Sequence, residues 1–104
     1  MDTIWAATIN TEGTIEFLTE KPTYEVLRDA VGGYIAPVTC PHGDTVYVHD
    51  EGLLMGLDPN MGAMLVSQYP LLVGDAIVCG PLDDEGDHLP LTAPVVQFLR
   101  RLSE

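Results

Sequence analysis

Residues 23–38 constrain the fold of this chain most strongly, because they join a helical pattern to two consecutive glycines. The apolar residues recur at helical spacing, at Tyr24, Leu27, Ala30 and Val31. Thr23 precedes them as an N-cap, and Gly32 can adopt the left-handed conformation that ends a helix. Gly33 then lets the backbone pass close to a neighbour, and an extended stretch follows at residues 34–38. We expect a helix tied to a strand by a tight glycine joint.

The composition is that of a folded domain. The chain has 104 residues, of which 46% are hydrophobic and 19% charged, so it can bury a core and is too short for two domains. It contains no apolar run of the roughly 20 residues that span a bilayer. The N-terminus also lacks the basic start and long apolar core of a signal peptide. We expect a soluble cytoplasmic protein without a membrane partner.

Charge is the strongest anomaly. Sixteen acidic residues face four basic ones, which gives a formal net charge of -12. Such a surface repels phosphate backbones, so direct nucleic-acid binding is not expected. Three interpretations of the acidity stay open: solubility alone, a basic protein partner, or a surface that imitates nucleic acid.

Six short segments have the composition or alternation of β-strands. They are residues 3–9, 14–18, 34–38, 45–49, 53–57 and the end of 73–80. A turn at residues 11–13 joins the first two into a hairpin. Pro37 cannot donate a ladder hydrogen bond, so its strand is expected at an edge or to end early. These segments predict an antiparallel sheet of five or six strands.

Two further segments have helical patterns. A short helix is expected over residues 60–68, capped by Asn60 or Asp58, with Met61, Met64, Leu65 and Gln68 on one side. A C-terminal helix, residues 92–103, is expected to be capped by Thr92, and its apolar stripe is Val95, Phe98, Leu99 and Leu102. An acidic loop, residues 81–87, precedes it. The whole pattern predicts a single α+β domain, residues 1–104, with two or three helices packed on the sheet.

Three stretches, taken in order, resemble a known family. They are VLRDAVGGYIAPV, VYVHDEGLLMGLDPN and LLVGDAIVCG. They are similar to the signature blocks of the phage and mobile-element family catalogued as domain of unknown function 3846. The resemblance extends over about residues 1–80 and leaves out the acidic loop and the C-terminal helix. It implies a small α+β protein encoded by bacteriophages, prophages or conjugative elements, and it implies no activity.

Metal binding has one candidate set of ligands, Cys40, His42, Cys79 and His88. These residues lack the paired spacings that typify zinc sites, and two reduced thiols in a loop and a strand account for the cysteines. The sequence therefore predicts no metal and no other cofactor.

Acid-base chemistry has two weak candidates. His49 adjoins Asp50 and Glu51, but successive residues of a strand point to opposite faces. His42 and Asp44 lie in a predicted turn. The common nucleophile, phosphate-binding and dinucleotide motifs are absent from the sequence. We therefore expect a protein that is not an enzyme.

Three functions remain. The first is a phage accessory protein that binds a host protein, possibly a basic one, through an acidic surface formed by Asp83, Asp84, Glu85 and Asp87. The second is a protein that binds or sequesters a nucleotide-like small molecule in a pocket formed by Gly32, Gly33, Tyr34 and Asn60. The third is a small enzyme. A deep pocket at the glycines favours the second, and a convex acidic surface favours the first.

Overall fold

The computed structural model describes residues 3–104 and contains one sheet of five strands in that part of the chain. The strands are β1 (Ala6–Ile9), β2 (Ile15–Leu18), β3 (Ile35–Thr39), β4 (Thr45–His49) and β5 (Ala76–Cys79). Their order is β2-β1-β5-β4-β3, and every neighbouring pair is antiparallel. The predicted antiparallel sheet and α+β class are confirmed. Met1 and Asp2, which the predicted domain includes, lie outside the described residues.

Three helices cover the sheet within residues 3–104, and they use both of its faces. The helices are α1 (Tyr24–Val31), α2 (Met61–Ser67) and α3 (Ala93–Leu102). Helix α1 packs on the face that carries Ile77 and Cys79, whereas α2 and α3 pack on the face that carries Val78. Strand β5 is therefore buried on both sides, as its continuous apolar sequence requires. No helix in this described range combines the length and hydrophobicity needed to cross a bilayer.

The glycine joint after α1 has the predicted form. The side chain of Thr23 accepts a hydrogen bond from the backbone N–H of Val26 and caps the helix. Gly32 is left-handed, with φ of 82°, and its N–H donates to the carbonyl of Arg28. The predicted apolar stripe is wrong at its first member, because Tyr24 is 56% exposed at the start of the helix. Burial falls instead on Leu27 and Val31, which face the centre of the sheet.

Residues 53–57 form a hydrogen-bonded turn, so the strand predicted there is wrong. The N–H of Met55 donates to the carbonyl of Glu51, and the N–H of Leu57 donates to that of Gly52. These local bonds occupy the groups that a sheet ladder would need. We call residues 50–57 the turn segment.

Helix α2 is capped by Asn60, one of the two predicted caps, but buries a different face from the predicted one. Ala63, Val66 and Ser67 point into the core. Met61 and Leu65, from the predicted stripe, are exposed. The cause is that a helix of seven residues is oriented by its neighbours rather than by its largest apolar side chains.

Strand β3 lies at an edge of the sheet, as Pro37 predicted. The N–H of Asp50 donates to the carbonyl of Tyr34, and the N–H of Cys40 donates to that of Asp44. With the alternation of an antiparallel ladder, Pro37 falls at a position whose backbone faces away from β4. Proline therefore removes no hydrogen bond between β3 and β4. It leaves the open edge of β3 with one N–H donor fewer.

Candidate functional site

His49, the last residue of β4, organises one end of the sheet. Its Nδ1 accepts a hydrogen bond from the backbone N–H of Glu51 at 3.0 Å, so in the neutral imidazole Nε2 carries the proton. The ring lies against Gly33, where a β-carbon would overlap Nε2. The predicted close approach at the second glycine is thus confirmed. His49 connects the α1–β3 joint to the turn segment.

An open groove of about 480 Å³ runs between β3, the turn segment and residues 69–73. We call it the apolar groove. Its most exposed walls are the side chains of Leu53, Leu54, Tyr69 and Leu71. The charged residues that line it are Asp50 and Glu51, and its described lining includes no lysine or arginine. The groove is therefore an apolar surface with an acidic rim.

The exposure of the leucines in the turn segment is unusual. Leu54 is 87% exposed and Leu53 is 68% exposed. Isolated apolar residues on a surface need no explanation, but adjacent ones that line a groove with further apolar side chains mark interaction sites. We interpreted this part of the sequence wrongly. Its signal against a strand is the run Leu-Leu-Met between two glycines, which does not alternate as a half-buried strand should.

The four residues of the predicted ligand pocket do not line one cavity. Gly32 and Gly33 line an open depression of about 540 Å³ beside α1, together with Glu25, Arg28 and Asp29. Tyr34 is exposed, and its ring centroid lies 4.7 Å from the guanidinium carbon of Arg28. Asn60 is fully buried and lines neither of the cavities that Gly32 lines.

Asn60 is engaged in hydrogen bonds to the protein backbone. Its Nδ2 donates to the carbonyls of Ile9 at 2.8 Å and Gly74 at 2.9 Å. Its Oδ1 accepts from the N–H of Ala63 at 3.0 Å and caps α2. The side chain thus ties β1, α2 and the segment that precedes β5 together, and this network gives it a structural role.

The acidic loop is ordered by its own hydrogen bonds. Asp83 Oδ1 accepts from the N–H groups of Glu85 and Asp87, each at 2.9 Å. The hydrogen bond from the N–H of Asp87 is the largest cause of the lowered pKa of the exposed Asp83 carboxyl. Asp84 and Glu85 are exposed, and Asp87 lies 3.9 Å from Lys21 Nζ. All four predicted partner-binding carboxylates therefore lie together on one loop.

His88 anchors that loop to the sheet. Its Nδ1 donates to the carbonyl of Gly80 at 2.6 Å, and its Nε2 accepts from the hydroxyl of Tyr47 at 2.7 Å. Sequence reasoning missed this pair, because the two side chains are 41 positions apart and no local pattern links them.

The acidic loop and the apolar groove lie at opposite ends of the sheet. The loop follows β5, and the turn segment follows β4. Because β4 and β5 are antiparallel neighbours, these two ends point in opposite directions. Leu82 in the loop and Leu89 just after it are exposed apolar residues. A small protein–protein interface cannot therefore include both the acidic loop and the apolar groove.

The candidate zinc ligands are not assembled. Cys40 and Cys79 belong to separate buried clusters on opposite faces of the sheet. Burial raises the pKa of Cys79 to about 12, and burial followed by the charge of Asp44 raises the pKa of Cys40 to about 11. Within residues 3–104, no three histidine, cysteine or acidic side chains are grouped to hold a metal.

The acid-base candidates are engaged elsewhere. His49 Nδ1 is bonded to the backbone of Glu51. Asp44 is fully buried and accepts hydrogen bonds from the N–H of Thr92 at 3.0 Å and from its hydroxyl at 2.7 Å. The predicted capping residue Thr92 thus makes no side-chain cap, and its hydroxyl anchors α3 to Asp44.

Comparison with known families adds one match. The model of the family described as "Domain of unknown function (DUF3846)" matches residues 4–103. The chain belongs to this family. The match reaches past residue 80, so the earlier boundary is wrong: the acidic loop and α3 are part of the DUF3846 domain. No curated protein and no solved structure matches the chain.

The three stretches that carried the DUF3846 resemblance meet at a second cavity. This acidic cavity has a volume of about 350 Å³ and is lined by Asp29 and Gly32 from the first stretch. His49 and Asp58 come from the second stretch, and Asp75 comes from the third. Its described lining includes three carboxylates and no lysine or arginine, a charge distribution that disfavours a phosphorylated ligand. His49 also lines the apolar groove. Residues of the turn segment line both the acidic cavity and the apolar groove, and each of the two depressions carries carboxylates.

Proposed function

We propose that this chain is a non-catalytic binding protein that engages another protein through the apolar groove. The observation that carries the proposal is the pair of adjacent, highly exposed leucines, Leu53 and Leu54, on the wall of a groove with further exposed apolar side chains. The phage and mobile-element resemblance suggests that the partner is a host protein, which this protein would meet in the host cytoplasm.

The energetic argument rests on burial. Full burial of a leucine side chain contributes roughly 1.5–3 kcal/mol, so Leu53 and Leu54 together can supply much of the energy of a specific contact. Protein interfaces concentrate affinity in a few such anchors surrounded by polar groups. Asp50 and Glu51 are suitably placed for that polar rim.

The charge argument identifies the kind of partner. A net charge of -12 and a groove rim with two carboxylates favour a protein whose contact surface is basic. Solubility alone also accounts for the acidity, but it does not account for exposed adjacent leucines, since they lower solubility. We propose that the acidic loop, Asp83 to Asp87, adds to the negative field that speeds encounter, while the groove supplies the anchors.

A comparison of two matched substitutions tests this function. Leu54→Asp alters the groove, and Leu82→Asp makes the same change within the acidic loop, residues 81–87, at the opposite end of the sheet. Tagged wild-type and variant proteins are incubated with a bacterial host lysate, and captured proteins are quantified by mass spectrometry. The proposal expects a basic protein that wild type and Leu82→Asp retain and Leu54→Asp loses. Retention of every captured protein by Leu54→Asp contradicts it.

A further inference from the structure

We propose that the segment of the partner that occupies the apolar groove is an amphipathic α-helix with lysine or arginine beside its apolar stripe. This inference rests on the proposed function and specifies its partner. The open edge of β3, the charges on the rim and the rigidity of the turn segment each support it.

The edge of β3 is poorly suited to an added strand. A peptide that extends the sheet would pair with the outward-facing backbone groups of residues 35, 37 and 39. Pro37 stands in the middle of these and has no N–H to donate. A strand placed there leaves one of its carbonyls without a partner, which costs free energy when water is excluded. Recognition therefore falls on side chains, as in a helix bound in a groove.

The wall of the groove is fixed before any partner arrives. The hydrogen bonds from Met55 to Glu51 and from Leu57 to Gly52 hold the turn segment in one conformation. The bond from the N–H of Glu51 to His49 ties its start to β4. Because these bonds position the backbone of Leu53 and Leu54 in advance, little backbone entropy is lost on binding. A helix presents apolar side chains three and four residues apart on one face, which suits a row of neighbouring apolar side chains.

The charges distinguish this occupant from a second copy of the chain. In a symmetric dimer through the groove, Asp50 and Glu51 would approach the same carboxylates of the other copy, and each copy carries a net charge of -12. Like charges in an interface oppose association. The described helix with two adjacent arginines, α3, already buries Val95 and Leu99 in its own core. A basic helix from a different protein meets none of these obstacles.

Selection from a random peptide library tests the inference. Displayed peptides of about 16 residues, roughly four helical turns, are selected on immobilised full-length protein and counter-selected on Leu54→Asp. Enriched sequences are expected to repeat apolar residues at three- and four-residue spacing and to carry net positive charge. Enrichment of alternating or acidic sequences overturns the helical or basic assignment but leaves binding at the groove intact. If no peptide binds wild-type protein in preference to Leu54→Asp, the inference is also overturned.

A proline substitution in the best peptide provides a second measurement. The proline replaces a residue that faces away from the apolar stripe, so the anchors stay and the helix breaks. The expected result is a dissociation constant for wild-type protein at least roughly tenfold higher, since proline inside a helix is strongly unfavourable. Unchanged affinity shows that the peptide binds in another conformation and rejects the helix. The lysate comparison tests the proposed function separately, because it requires no particular secondary structure.

Discussion

The imidazole of His49 occupies the space that a β-carbon at Gly33 would need. The same ring accepts a hydrogen bond from the backbone of Glu51, so the glycine joint, the end of β4 and the turn segment form one packed unit. The turn segment forms one wall of the apolar groove, so the conformation of that wall depends on the absence of a side chain at Gly33. This relationship separates the roles of the two adjacent glycines.

Gly33→Ala and Gly32→Ala are expected to destabilise the protein for different reasons. Alanine at position 33 meets the His49 ring, and overpacking of this kind costs about 1–3 kcal/mol. Alanine at position 32 has open space but must keep a positive φ, at a cost of about 1–2 kcal/mol. Urea denaturation of both variants, alone and combined with His49→Ala, measures the two effects. Removal of the ring should relieve the penalty of Gly33→Ala and leave that of Gly32→Ala; equal relief at both positions contradicts the packing.

Asn60→Ala is expected to be strongly destabilising, by about 2–4 kcal/mol, because it removes a helix cap and the amide donor to two buried carbonyls. Asn60→Asp keeps the cap acceptor but places a carboxylate oxygen against those carbonyls, so it should also destabilise the fold at neutral pH. Thr23→Ala is the matched control, since it removes one exposed cap for about 0.5–1 kcal/mol. Chemical denaturation gives the three values. An Asn60→Asp protein as stable as wild type means that the amide donor is not needed.

Local signals explain which parts of the fold the sequence predicted. Thr23, Gly32 and Pro37 each act through their own backbone, so α1, its end and the edge position of β3 follow from residue type. The strand predicted at residues 53–57 was wrong because hydrogen bonds between near neighbours close a turn there. The face of α2 depends on neighbours distant in the chain, and that prediction was also wrong. The apolar groove was missed for the same reason, since its walls come from three separate segments.

Stability is expected to fall in alkaline solution. Burial raises the pKa of Cys79 to about 12 and, with a smaller effect from Asp44, that of Cys40 to about 11, from an ordinary value of 9.0. The unfolded chain therefore releases protons above pH 9 that the folded protein retains, so the free energy of unfolding decreases as pH rises from about 9 towards 12. Burial first, and the charge of Cys79 second, raise the pKa of Tyr47 and act in the same direction. Urea midpoints measured from about pH 7 to about pH 10.5 follow this loss. Cys79→Ala should decline less steeply with pH, and identical slopes would show that this thiol does not contribute.

Neutralisation of the acidic loop should change association more than dissociation. The variant replaces Asp83, Asp84 and Asp87 with asparagine and Glu85 with glutamine. Long-range attraction raises the association rate at low salt, and contacts at the anchors set the dissociation rate. Stopped-flow kinetics with a partner recovered from the lysate should show slower association at low salt, a smaller difference at high salt and an unchanged dissociation rate. Unchanged association at low salt assigns the loop to solubility alone.

Affinity of the recovered partner for Leu54→Asp and Leu82→Asp, measured by calorimetry, tests the central claim most directly. Leu54 is 87% exposed and Leu82 is 52% exposed, so neither change should alter the free energy of unfolding by more than about 0.5 kcal/mol. With both variants shown to be folded, the account predicts a dissociation constant at least roughly tenfold higher for Leu54→Asp and close to wild type for Leu82→Asp. The opposite order, with Leu82→Asp weakened and Leu54→Asp unchanged, would place the contact at the acidic loop and contradict a role for the apolar groove.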